Sequence, residues 1–91
     1  MDNISYTTHF LNKLEDLYSE TDYQLRYEKG NFKSGYCILR SRRIAIINKY
    51  YSLEGKINSL VDMLKELEID PGKLSEKNRK LFSSIISARN N

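Results

Sequence analysis

Tryptophan is absent from this 91-residue chain, and cysteine, histidine and proline each occur once. One cysteine forbids an internal disulfide. One histidine and one cysteine, with only carboxylates beside them, cannot supply the nitrogen and sulfur ligands of an ordinary zinc site, so neither a tightly bound transition metal nor another cofactor is expected. Gly30, Gly35, Gly55 and Gly72 are scattered and fit neither GxGxxG nor GxxxxGK spacing, which excludes a phosphate-cradling loop. No apolar run approaches the ~20 residues of a membrane span, and Met1-Asp2-Asn3 does not open a secretory leader. A soluble, cytoplasmic chain is expected, with no membrane contact and no small-molecule substrate identified.

What is present is an ordinary globular balance, 40% hydrophobic and 30% charged, over a length that suits one domain spanning 1–91. The net charge of +3 conceals a segregation. Residues 1–22 hold Lys13 against five carboxylates, and residues 23–49 hold seven cations against Glu28. Residues 50–70 are acidic again, and residues 71–91 set five cations against Glu76. Such blocks either attract one another within the domain or offer a basic surface to an anionic partner.

Hydrophobic spacing predicts an α+β fold in the order α-β-β-β-α-α, with a three-stranded antiparallel sheet. A first helix over 5–20 places Phe10, Leu14, Leu17 and Tyr18 on one side. Tyr23, Leu25 and Tyr27 alternate with polar residues as a half-buried strand. Tyr36 to Leu39 and Ile44 to Ile47 form a hairpin in which Arg40 would pair with Arg43, Leu39 with Ile44 and Cys37 with Ile46. From Leu53 to Ile69 the stripe Leu53, Ile57, Leu60, Val61, Leu64, Leu67 marks a second helix, capped by Ser52 and stopped at Asp70-Pro71-Gly72. A C-terminal helix over about 75–89 buries Leu81, Phe82, Ile85 and Ile86 outside a core of about 5–69. Two helices on one sheet face would leave Tyr36, Ile38, Ala45 and Ile47 to be covered by the third helix or by a second subunit.

Candidates for chemistry are few. His9 reads as an ordinary helix residue and Cys37 as a small core side chain. The run Ser34-Gly35-Tyr36-Cys37-Ile38-Leu39, then Arg43-Ile44-Ala45-Ile46-Ile47-Asn48, then the helix from Leu53, resembles the core of ImmA/IrrE-type metallopeptidases, across roughly residues 10–69. That resemblance implies a zincin-like core whose second helix would carry HExxH. Laying Ser59-Leu60-Val61 before the motif puts Asp62 and Glu66 at the histidine positions and Met63 at the catalytic glutamate. Methionine cannot act as a general base. The resemblance therefore implies the fold without the activity.

A non-enzymatic protein-interaction or dimerisation module is expected, with Tyr36, Ile38, Ala45 and Ile47 as its partner face. The alternative is binding of single-stranded RNA or DNA through Arg26, Lys33, Arg40, Arg42, Arg43 and Lys49, with aromatic residues interleaved. A residual metal-dependent hydrolase is the remaining alternative.

Overall fold

Thr7 opens the first helix, its hydroxyl oxygen accepting the Phe10 N–H at 3.0 Å. In the computed structural model, which describes residues 4–39 and 41–89, helix α1 runs Thr8–Ser19 and buries the expected Phe10, Leu14, Leu17 and Tyr18. Strands β1 (Tyr23–Glu28), β2 (Gly35–Leu39) and β3 (Arg42–Asn48) follow, then helix α2 (Leu53–Leu64), a 3-10 turn (Pro71–Lys73) and helix α3 (Glu76–Arg89). Helix α2 stops at Leu64 rather than Ile69. Its continuation would crowd Glu66, Glu68 and Asp70 against the negative end of the helix dipole. The Glu66 N–H instead closes a tighter turn on the Met63 carbonyl at 2.9 Å, and Leu67 stays buried.

The sheet is mixed, not antiparallel. Its order is β1-β3-β2, with β1 parallel to β3 and β2 antiparallel to it. The chain between β1 and β2 must therefore cross the end of β3, and Asn48 holds it there. The Asn48 amide donates to the carbonyls of Gly30 at 2.9 Å and Phe32 at 2.7 Å, and its oxygen accepts the Tyr50 N–H at 2.9 Å. The Asn48 backbone N–H donates to the Ser34 hydroxyl at 2.9 Å. The crossing is close as well: a Cβ on Gly30 would stand 2.9 Å from the Phe32 ring.

Within the hairpin Leu39 pairs with Arg42, Ile38 with Arg43 and Cys37 with Ile44. The expected register is displaced by two residues along β3, a shift that leaves each side chain on its expected face. Helices α1 and α2 pack on the face that carries Tyr23, Ala45 and Ile47. The Tyr18 hydroxyl crosses that layer to donate to the Leu60 carbonyl at 2.6 Å, and burial pushes its pKa up, so it remains a donor. Helix α3 packs on α1 and α2 and, among the described residues, makes no contact with the sheet.

Carboxylates of α1 and the residue after it hold α3 in place. Asp16 accepts the buried Asn78 amide at 3.1 Å and pairs with Lys77 at 3.3 Å. Glu20 accepts the Ser75 N–H at 2.8 Å, just ahead of α3. The Asn78 amide, then Lys77, hold the Asp16 carboxyl below its usual range, and the Ser75 N–H does the same for Glu20.

Two outcomes follow from these contacts. Asn48→Asp, which sets carboxylate oxygens against the carbonyls of Gly30 and Phe32, should cost roughly 2–4 kcal/mol in urea denaturation. A native-like denaturation midpoint in that variant would contradict the role given to Asn48. A carboxyl whose folded pKa lies below its unfolded value adds stability above the unfolded value, and that stability is lost as pH falls through the folded one. The melting temperature should therefore hold down to about pH 5 and fall below about 4.5, the ordinary glutamate value. Asp16→Asn combined with Glu20→Gln should flatten that acid limb.

Candidate functional site

Helix α2 and the turn after it turn Ser59, Asp62, Met63 and Glu66 to one side, at the three-and-four spacing of a single helix face. Facing them are Lys33 and Ser34 from the crossover, Gly35 and Tyr36 from the start of β2, and Tyr51 from the turn before α2. These walls enclose an open cleft of about 510 Å³. The three positions singled out on the helix, Asp62, Met63 and Glu66, all line it.

The Met63 thioether neither gives nor takes a proton at neutral pH. The Ser59 hydroxyl donates back to the Gly55 carbonyl at 2.9 Å, and the single histidine stands on α1, in a separate groove against α3. Among the described residues no group of three or more His, Cys, Asp or Glu could hold a metal ion. Two carboxylates against Lys33 leave the cleft net negative.

β2, whose first residues Gly35 and Tyr36 line the cleft, is an edge strand of the sheet. Every second residue of an edge strand turns its N–H and C=O away from the sheet, and natural edges are usually guarded by charge, proline or a bulge. The β2 sequence Gly-Tyr-Cys-Ile-Leu carries neither charge nor proline. The opposite edge, β1, is guarded by an Arg26–Glu28 ion pair at 2.7 Å. On β2, Tyr36 is 38% exposed and Ile38 47% exposed.

The expected partner face needs correction. Tyr36, Ile38, Ala45 and Ile47 do share one face, but it is the face that α1 and α2 cover. Ala45 and Ile47 have no exposed surface and can meet no partner. Only Tyr36 and Ile38, at the edge beyond the helices, remain accessible. Nor does α3 cover that face, since it lies behind the helix layer. Cys37 is half-buried on the opposite face rather than part of the core.

The basic residues are dispersed. Arg26 is engaged with Glu28, and Lys33 lines the cleft. Arg43 lies over the Tyr23 ring at 5.7 Å, and a hydrogen bond to Tyr23 pushes its pKa further up. Arg42 begins the seven-residue β3 and Lys49 follows its end, so roughly 20 Å of strand separates them. Arg40 lies outside the described residues. By the strand register Arg26 and Arg42 fall on the sheet face that the helices leave open and Arg43 on the covered one.

Tyr51, Ser59 and the edge position of β2 were not singled out from the sequence. The spacing of Ser59, Asp62, Met63 and Glu66 is a readable helix face, but which strand forms the edge depends on the crossover. Comparison with protein-family models, with curated proteins and with solved structures finds no match for this chain.

Proposed function

We propose that this domain is a non-enzymatic protein-interaction module on a degenerate zincin-like core, and that it accepts an extended segment as an added strand along β2. The observation that carries the proposal is the uncharged edge of β2 opening onto the net-negative cleft. Main-chain hydrogen bonds to the outward N–H and C=O groups would provide affinity, and alternate side chains of the incoming strand would fall on the cleft side. A lysine or arginine among them would meet the field of Asp62 and Glu66, while apolar neighbours would cover Tyr36 and Ile38. The placement of Asp62, Met63 and Glu66 in one cleft supports the zincin-like reading of the core, and methionine at the central position supports a binding role over hydrolysis.

Peptides selected from a random library on the wild-type domain should be rich in β-branched and basic residues. Fluorescence anisotropy should show affinity falling about tenfold, ~1.4 kcal/mol, in Ile38→Lys. A salt-sensitive loss is expected in Asp62→Asn/Glu66→Gln. Binders indifferent to both variants would place recognition elsewhere and overturn the proposal.

A further inference from the structure

We infer that the strand received by β2 is β2 of a second copy of this chain, paired antiparallel about a two-fold axis at Cys37. The inference rests on the strand-accepting reading above and names its occupant. An antiparallel self-pairing centred there sets Cys37 opposite Cys37, Gly35 opposite Leu39, and Tyr36 of each copy opposite Ile38 of the other. The exposed aromatic and the exposed β-branched residue of the strand thus cover each other twice, on one face of a continuous six-stranded sheet. Aromatic with β-branched is a favourable cross-strand pair.

Charge at the two ends of β2 selects the same direction. The Gly35 end lies beside Asp62, Glu66 and Lys33, a net-negative group, and the Leu39 end is paired with Arg42. Antiparallel pairing brings the acidic end of each copy next to the basic end of the other. Parallel pairing would put like ends together. The edge is also free of the charged residue that would penalise strand-to-strand association. A seam of five residues per copy is small, which places the complex among weak, concentration-dependent dimers rather than obligate ones.

Opposed residues of an antiparallel pair have Cα atoms ~4.5–5.5 Å apart, inside the range a disulfide spans. Both Cys37 side chains would project to the sheet face that the helices leave open. The chain's single thiol is therefore a reporter of the register. Sedimentation equilibrium of the reduced protein from low micromolar to about 0.5 mM should show a reversible monomer–dimer equilibrium. Incubation with oxidised glutathione should then trap a covalent dimer at Cys37 in the wild type but not in Cys37→Ser: one Cys37 thiolate opens the glutathione disulfide and releases one glutathione thiol, and the opposed Cys37 displaces the second to form the intermolecular bond. Ile38→Lys should weaken dimerisation at least tenfold and suppress the crosslink, with an unchanged circular dichroism spectrum showing that it folds. The wild-type crosslink decides the register even if that variant does not fold. A chain that stays monomeric and uncrosslinked, yet still binds selected peptides along β2, would overturn the second copy as occupant and leave the strand-accepting reading standing. A monomer that binds no such peptide would overturn both. A dimer that forms without crosslinking and ignores Ile38→Lys would place self-association on another surface.

Discussion

A single buried amide fixes the topology. A chain that leaves β1 and must reach the far side of β3 has to carry its backbone over the end of the central strand. There its carbonyls would otherwise lose water without gaining a partner. Asn48 is 4% exposed, and its amide nitrogen satisfies two of those carbonyls while its oxygen receives the N–H of the next turn. The same residue ends β3 and accepts the Tyr51 N–H on its carbonyl at 3.1 Å. Crossover, strand end and approach to α2 therefore meet at one residue. No other residue type of that size offers two donors and an acceptor in this arrangement.

The order β1-β3-β2 follows from that crossing, and the character of each edge follows from the order. β3, with Ile44, Ala45, Ile46 and Ile47, takes the centre, where both its sides are hydrogen-bonded. β1 becomes one edge and brings charge with it. β2 becomes the other and brings none. The cleft beneath β2 depends equally on the short α2, because the turn at Lys65 to Leu67 keeps Leu67 in the core while Glu66 lines the opening. The exposed, uncharged edge at β2 is thus a consequence of where the crossover places an apolar strand.

The helices were legible because their stripes are long and regular. The stripes Phe10, Leu14, Leu17, Tyr18 and Ile57, Leu60, Val61, Leu64 are buried as spacing alone requires, and Ser52 caps α2 as expected. The grouping of Tyr36 with Ile38, Ala45 and Ile47 was also legible, since a two-residue shift of register preserves faces. Whether that face met helices or solvent was not, because both faces of β3 are apolar and periodicity cannot distinguish them. The mixed sheet was hidden for a related reason. Lys29-Gly30-Asn31 reads equally as a turn between neighbouring strands and as the start of a crossing, and the decision lies in Asn48, far along the chain. The cleft could be outlined only in part, since Asp62, Met63 and Glu66 share a helix face while the residues opposite them are set by the crossover.

The segregated charge has a largely internal explanation, though not between helices and sheet. Acidic α1 faces basic α3, where Asp16 meets Lys77 and Asn78, and Glu20 receives the backbone ahead of the helix. Exposed pairs of this kind add little stability each. They tie α3 to α1, while Ile85 anchors the same helix in the core. On the sheet itself Arg26 is matched by Glu28, and Arg43 is drawn toward Tyr23 with Glu68 and Asp22 nearby. Arg42 and Lys49, at opposite ends of β3, are exposed. Asp62 and Glu66 stand at one end of β2 and Arg42 at the other, an opposition of sign that an antiparallel second strand of the same sequence would reverse and so complement.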